Sequence, residues 1–340
     1  MPAPLRIVFL GSDPIALPAL EWLESEGRDI GSCVGVFTQP DRAVGRGQKT
    51  TPNAIKQWAL SRGLPVLQPE KVGDSARESL AELRPDLSLV MAYGHILRDD
   101  FIAVPRLGTI NLHASLLPRY RGASPIQTSI ANGERETGIS LMRIVRALDA
   151  GPVAETASVE IAPFDTAAEI EEKLARVCVP LLAATLPKLR DQALVFHEQD
   201  VTEVTYCRRL AKEDGALDFA APASVLAARI RGLFPWPGCV VEMGGQKIKL
   251  GLAEALPTEG GDKGDSLAMP GDVLGLDERG LRVATGAGVL RLLKLQRPGG
   301  RMLSAGEFFR GFQEMSGVRL SSSPMPALVA KQAFPHRGKS

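Results

Sequence analysis

Asn111 and His113 stand two residues apart at the end of the apolar run Gly108-Thr-Ile-Asn-Leu-His113. On a strand, residues two apart point to the same face. An amide and an imidazole therefore converge on one point at the strand's C-terminal end, which is where open parallel sheets bind ligands. An amide N–H can stabilise a developing oxyanion, and an imidazole can move a proton or stabilise charge. Taken alone, Asn-x-His is more often a pair of side chains that satisfy nearby backbone groups. Two further stretches add to it: the Pro-, Arg- and Gly-rich loop Ser115-Leu-Leu-Pro-Arg-Tyr-Arg-Gly122 and the segment Leu148-Asp-Ala-Gly151. A loop Asp near a Gly is ordinarily a turn former. Sequence does not set the distance from Asp149 to His113.

The elements that must position these residues alternate between strand and helix. Leu5 to Leu10 is a buried apolar strand. It runs into Gly11-Ser-Asp-Pro14, a turn with Ser12 or Asp13 as cap and Pro at the first helical position, and a helix follows to about Glu26. Ile30 to Phe37 is the second strand. The opening lacks Gly-x-Gly-x-x-Gly, so a dinucleotide site is weakly supported. Thr38 to Thr50 is a long polar loop with Arg42, Arg46 and Lys49, and a solvated surface loop explains it as well as a functional one. Thr51 caps a helix from Pro52 to near Gly63. A short strand (65–67), an amphipathic helix (74–83) and a buried strand (86–92) lead to Tyr93-Gly-His95. Beyond the central strand 109–113 come a helix from Ser124 or Pro125, strands at 137–142 and 153–160, and a long helix from Thr166 to about Asp191. Pro180 and Pro187 predict a kink or an end in that helix. This order predicts a Rossmann-like, doubly wound, mostly parallel α/β sheet.

The texture then changes. A helix near 223–233 ends at Pro235-Trp-Pro237. Short strands are predicted at 239–243, 247–252, 273–276, 281–285 and 289–295, separated by hairpin signals and closed by a helix at 304–310. These suit a small OB-like β-barrel. The division drawn from this pattern is a sheet domain at 1–191, a linker at 192–209, a barrel domain at 210–318 and a tail at 319–340. The Ser- and Pro-containing tail is predicted to be frayed.

Bulk composition narrows the classes. The chain has 340 residues, 44% hydrophobic and 23% charged, which allows two globular domains. A net charge of +1 supplies no global field for nucleic acid, so any such contact must come from local patches. The four cysteines are scattered without Cys-x-x-Cys, which argues against a disulfide framework or a zinc site and fits a reducing cytosol. No signal peptide or membrane-spanning run is evident, so a cytoplasmic protein is expected.

Asn111-Leu-His113, Ser115-Leu-Leu-Pro118, Arg121-Gly122, Pro125-Ile-Gln127 and Asp149-Ala-Gly151 together resemble the signature of enzymes that transfer formyl from 10-formyltetrahydrofolate. The resemblance runs from about Leu5 to about Gln313. It implies a catalytic set of Asn111, His113 and Asp149, with no metal. It implies a folate site made by Tyr93, Gly94, Ser115, Leu116, Leu117 and Pro118. Phe37-Thr-Gln-Pro-Asp-Arg42 with Gly45-Arg-Gly47, the segment Ala123-Ser-Pro-Ile-Gln127 and the second domain resemble bacterial members whose acceptor is initiator methionyl-tRNA. The loop carrying Arg42, Arg46 and Lys49 would close over the acceptor end of the tRNA. Lys212, Lys247, Lys249, Arg291 and Lys294 of the second domain would hold its phosphates. Ala43 departs from the usual Pro after Asp-Arg, which implies a looser loop. His95 sits where the family varies and is read as a supporting or surface residue. A monomer is expected, although the sequence does not itself set the oligomeric state.

Two rivals share part of this pattern. An amino-sugar nucleotide formyltransferase would carry the same catalytic set, but not the Gln39-to-Gly47 loop. A non-catalytic RNA-binding protein would use the barrel alone, and the intact Asn111, His113 and Asp149 argue against it.

Overall fold

A computed structural model describes residues 3–44, 49–256, 268–310 and 318–335. Its contacts group into two units. One comprises Met1–Arg121, Gly138–Val159 and Glu171–Val204, and the other comprises Gly122–Thr137, Glu160–Ile170 and Thr205–Ser340. Residues 122–137 and 160–170 thus pack with the C-terminal unit, although they precede the division at 191 drawn from sequence.

In chain order the first stretch runs β1 (Leu5–Leu10), α1 (Leu17–Glu24), β2 (Gly31–Phe37), β3 (Arg42–Val44), β4 (Lys49–Thr51) and α2 (Ala54–Ser61). It continues β5 (Val66–Leu67), α3 (Asp74–Glu82), β6 (Leu87–Val90), α4 (Asp99–Ile102), β7 (Thr109–His113), β8 (Arg121–Gly122) and α5 (Pro125–Ala131). β9 (Glu136–Arg143), β10 (Val153–Glu160) and α6 (Ala167–Arg190) follow. The main sheet has seven strands in the order β10-β9-β7-β6-β1-β2-β5. β1 pairs in parallel with β2 and β6, and β6 in parallel with β7. β9 runs antiparallel to β7, which places Ser140 opposite His113 and Met142 opposite Asn111. The parallel strands β1 and β6 are mostly apolar and buried, as expected for the interior of such a sheet. Val8, Leu10, Phe37, Leu80, Val90, Tyr93 and Phe101 form one buried cluster in this unit.

Three local expectations are corrected here. The helix after β2 is capped by Asn53, whose side chain accepts from the Lys56 amide at 3.0 Å, and not by Thr51. Thr51 instead pairs with Arg42 in the β3–β4 hairpin, so the polar loop at 38–50 is partly ordered as a ribbon. The long helix α6 passes through Pro180 and Pro187 as one element. Leu174, Cys178, Leu182, Leu186 and Leu189 are all buried at helical spacing. That apolar stripe holds the helix on both sides of each proline and outweighs the lost backbone bonds.

The chain continues with β11 (Tyr206–Cys207), α7 (Ala223–Leu233), β12 (Cys239–Met243), β13 (Gln246–Leu256), β14 (Val273–Leu276), β15 (Leu281–Ala284) and β16 (Val289–Gln296). It ends with β17 (Leu303–Ser304), α8 (Ala305–Phe308) and β18 (Val329–Ala330). β12 to β17 form one antiparallel sheet, ordered β12-β13-β16-β15-β14 with β17 on β16. The register of β13 on β16 shifts between Leu250 and Ala253, an irregularity of the kind that bends a sheet. Its inner face, with Leu250, Ala253, Val283, Leu290 and Leu292, packs on Leu226, Ile230 and Leu233 of α7. α5 packs on α7 at a close approach: a side chain at Gly232 would meet the Gln127 carbonyl at 2.6 Å.

The tail is also corrected, because residues 318–335 are packed in the second unit. Leu320 and Leu328 are buried in its core. Val329 and Ala330 pair with Cys207 and Tyr206. Arg229 donates to the carbonyls of Asp214 and Pro326, and Arg208 donates to the Ala327 carbonyl. Those backbone bonds have no signature in a Ser- and Pro-containing sequence. Among the described residues, no helix is long and apolar enough to cross a membrane.

Candidate active site

β7 ends at the residues the sequence singled out. Val90 and Met142 flank Asn111 on the neighbouring strands, and Ser140 flanks His113. Asn111 is half-buried, whereas His113 is only 6% exposed. The loop 144–152 returns Asp149 to the strand end, so that its Oδ2 lies 3.7 Å from His113 Nδ1. On the other side of the ring, His113 Nε2 lies 3.0 Å from the Tyr120 carbonyl. A carbonyl can only accept, so Nε2 carries the proton in this arrangement. Both ring nitrogens therefore face acceptors. A ring that loses the Tyr120 contact would have an N–H ready for another oxygen.

The 115–122 loop is shaped largely by its own backbone. The Ser115 hydroxyl donates to the Arg119 carbonyl at 2.7 Å. The Ser115 carbonyl in turn accepts from Ser140 Oγ at 2.7 Å, and Ser140 Oγ accepts from the Leu117 amide at 3.0 Å. Ser115 is fully buried, so its hydroxyl holds the loop and does not present a donor at the surface. Leu116, Leu117 and Pro118 are half-buried and form the exposed side of the turn.

Tyr93 follows β6 and is 3% exposed, and its hydroxyl is buried without a hydrogen-bond partner. Burial pushes its phenol well above the ordinary value. Gly94 follows with positive φ (+78°), and Tyr93 accepts at its carbonyl from Gln39 Nε2 at 2.9 Å. A buried polar atom without a partner is unusual in a native fold. The His95 ring meets the Tyr93 ring edge-on at 5.0 Å. Burial first, then the charge of Arg42, lowers its pKa. His95 thus packs against Tyr93 as a half-buried neighbour.

Arg42 is exposed on β3. The root of its hairpin is fastened by polar side chains. Asp41 accepts from Lys56 at 2.6 Å and from Gln68 at 2.8 Å, and Gln68 also donates to the Gln39 carbonyl at 2.8 Å. Asn53 and Ser12 bond to Thr38. Of the other two basic residues in this loop, Lys49 lies on β4, and Arg46 lies outside the described residues.

The second unit carries the remaining predicted basic residues, and they are not equivalent. Lys212, Lys247 and Lys294 are exposed. Lys247 and Lys249 point to the face opposite the buried Ile248 and Leu250. Lys249 donates to the Pro235 carbonyl at 2.7 Å and sits 5.6 Å from the Phe234 ring. Arg291 does not fit the expectation of a free phosphate ligand. It bonds Glu254 at 2.8 Å and Asp277 at 2.6 Å, so two carboxylates already balance its charge. The cross-strand pairing of Glu254 with Arg291 places them together, which the strand spacing of the bases could not reveal.

Two residues that sequence reasoning gave no role meet at the Asp149 loop. Gln199 Nε2 donates to the carbonyls of Asp149 (2.9 Å) and Gly151 (2.7 Å). Its Oε1 accepts from Arg121 Nε and Nη2 at 3.1 and 2.8 Å. Arg121 lies in the quoted Arg-Gly motif. Gln199 lies in the segment read as a linker, where no spacing marked it.

Comparison with known proteins shows the family. Residues 5–186 match the family described as formyl transferase, and residues 209–313 match its C-terminal domain. The chain belongs to the formyl transferase family. Within that family it is 41% identical over 319 residues to the methionyl-tRNA formyltransferase of Methylococcus capsulatus, covering 94% of this chain and 100% of that protein. It is 39% identical to the methionyl-tRNA formyltransferase of Ectopseudomonas mendocina, over 92% of this chain and 97% of that one. Among solved structures, a sugar 3N-formyl transferase, WlaRD, in the presence of dTDP and 5-N-formyl-THF shares the fold. Its TM-score is 0.61 at 16% identity, over 85% of this chain and 97% of that one. A methionyl-tRNA formyltransferase from Clostridium thermocellum has a TM-score of 0.54 at 15% identity, over 75% of this chain and 95% of that one.

Proposed function

We propose that this protein transfers the formyl group of 10-formyltetrahydrofolate to the α-amine of initiator methionyl-tRNA. The observation that carries the reading is the convergence at the end of β7. Asn111 and His113 share a strand face, and Asp149 reaches within 3.7 Å of the imidazole. The relatives at 41% and 39% identity over nearly the whole chain favour a tRNA acceptor over a sugar one.

The folate supplies a formyl carbon bound to N10, and attack by an amine places negative charge on the formyl oxygen. The Asn111 amide donates to that oxygen. His113 donates its Nε2–H to the same oxygen, which takes the place of the Tyr120 carbonyl. Asp149 faces the ring at Nδ1 and, through a water, accepts the proton the amine releases; collapse of the tetrahedral adduct then breaks the carbon–N10 bond, and that proton passes to N10, which leaves as tetrahydrofolate. Tyr93, Gly94, Leu116, Leu117 and Pro118 line the folate site, with Ser115 holding the loop from behind. The partnerless Tyr93 hydroxyl supports a polar ligand there.

On this reading, Arg42, Arg46 and Lys49 close over the acceptor end, and Lys212, Lys247, Lys249 and Lys294 meet tRNA phosphates. We read the curled antiparallel sheet as an OB-like barrel, in a division of sheet domain 1–191, linker 192–209, barrel domain 210–318 and tail 319–340. The protein works without a metal, in the cytoplasm, as a monomer.

The test is direct. Purified protein is incubated with 10-formyltetrahydrofolate and methionyl-tRNA, and in parallel with an amino-sugar nucleotide. Formylmethionine in the first mixture and no product in the second is the expected result. The reverse pattern would transfer the reading to the amino-sugar class.

A further inference from the structure

We infer that Gln199 and Arg121 are a positioning pair for Asp149. The inference rests on the proposed catalytic role of Asp149, but the contacts that motivate it do not.

The Asp149 loop needs an external clamp. Asp149 itself has φ +46°, a left-handed conformation that is costly for a residue with a side chain. Gly151 is pressed against β9, where an added Cβ would meet the Arg143 carbonyl at 2.0 Å. The Pro152 carbonyl accepts from the Arg143 amide at 3.0 Å. Those contacts fix the end of the loop that returns to the sheet. The carbonyls of Asp149 and Gly151 are both held by the side-chain amide of Gln199.

The orientation of that amide follows from chemistry. Carbonyl oxygens only accept and a guanidinium only donates, so the NH2 must face the loop and the oxygen must face Arg121. A glutamine offers both ends on one rigid plane. Arg121 is 6% exposed and gives two donors to the same oxygen, which leaves the amide little freedom to rotate. Gln199 is placed by the pairing of His197 with Val153 at the start of β10. The device therefore holds the backbone of Asp149 without using its carboxylate, whose Oδ2 faces His113.

Glutamate at position 199 separates this role from simple packing. It keeps the size and can still pair with Arg121, but it has no donor for the two carbonyls and sets a second anion beside Asp149. Methionine keeps the length and removes both functions. In the full-length protein, Gln199→Met and Gln199→Glu should each lower kcat for methionyl-tRNA formylation at least tenfold. KM for the folate should stay within about twofold, because the folate site is not touched. Arg121→Lys should fall between these variants and wild type, since one ammonium cannot replace a planar fork.

Two further readouts separate positioning from loss of fold. In the Asp149→Asn background, Gln199→Met should cost less than twofold more, because both changes disable the same group. Hydrogen exchange without substrates should show the Ala150 and Arg143 amides losing protection in Gln199→Met, with the α7 amides unchanged. Wild-type kcat in both Gln199 variants, fully multiplied losses in the double variant, or unchanged exchange at Ala150 and Arg143 would each overturn the inference. A wild-type protein inactive on methionyl-tRNA would instead overturn the proposed function, and the exchange result would still decide whether Gln199 holds the loop.

Discussion

The two units use their basic residues in opposite ways. In the sheet unit, Arg121 is buried and its fork is committed to one amide oxygen beside the reaction centre. On the outer face of the C-terminal sheet, Lys247 and Lys294 stand in solvent, while neighbouring Arg291 is closed by two carboxylates. A reaction centre needs its atoms held to about half an ångström, so its charges act through hydrogen bonds of fixed direction. A surface for a polyanion needs only positive charge in the right region, and mobile lysines serve it. The lesson is that a count of cations on a strand overstates a binding face. What matters is which of them the fold leaves uncompensated.

The largest effect expected is at His113. His113→Ala should fold normally and lose kcat by about 10² or more, the range for a lost acid–base or oxyanion group. Steady-state kinetics beside a thermal melt check it. Near-normal turnover would remove the difference between a built site and an ordinary strand end.

Next comes Asp214, where the second unit has a buried pair of its own. Asp214 is 1% exposed, bonds Arg208 Nη1 at 2.7 Å and accepts the Ala211 amide at 2.7 Å. Burial acts to raise its carboxyl, but the Arg208 and Ala211 bonds outweigh that and hold it below the ordinary range. A carboxyl with a depressed folded pKa contributes stability above its unfolded value and loses it as pH falls through the folded value. Asp214→Asn keeps the acceptor for Ala211 and removes the charge facing Arg208. It should cost about 3 kcal/mol at neutral pH, the scale for breaking a buried pair. In denaturant melts the gap between variant and wild type should begin to narrow below about pH 4 and close only as pH falls through the lower folded value. A constant gap down to the acid limit would mean that the ion pair is not the source.

Arg42 sits between the two extremes, exposed but on a hairpin rooted by Asp41, Lys56 and Gln68. Arg42→Ala should reduce kcat/KM for the tRNA by roughly tenfold, and Arg42→Lys should restore only part of it. Folate binding should be unchanged in both. Full activity of Arg42→Ala would return the hairpin to solvated surface.

The smallest effect sharpens the contrast within one face. Lys247→Gln and Lys294→Gln should each flatten the dependence of log K for methionyl-tRNA on log salt by about one unit. Arg291→Gln should barely alter that slope, because Glu254 and Asp277 already balance its charge. Equal slopes for all three would show that compensation does not decide which bases meet the tRNA.

Much of this was legible in the sequence because the signals are local. The period-2 placement of Asn111 and His113 survives any tertiary arrangement, since it needs only that the strand form. The apolar runs of β1, β6 and β7, the turn glycines between the later strands and the break at Pro235 named most elements for the same reason. The misses share a different physics. Two prolines in α6 were read by propensity, but a buried stripe on the opposite side decided the helix. Thr51 was read as the cap from its position before Pro52, but strand pairing takes Thr51 and Asn53 caps the helix. The tail was read as frayed because, besides the buried Leu320 and Leu328, its anchoring groups include backbone carbonyls, which are the same in every sequence.

The sequence by itself determined the chemistry available: an amide and an imidazole on one strand face, a carboxylate two residues before a glycine, and lysines at strand spacing. Tertiary structure decided which of those groups meet. Asp149 reaches His113 in a loop whose backbone, left-handed at Asp149, is held by Gln199, fifty residues away in sequence. Arg291 is withdrawn from the basic face because strand pairing sets Glu254 beside it. Hydrogen bonds and ion pairs act over a few ångströms, so their partners are fixed by distances in space that no local pattern encodes.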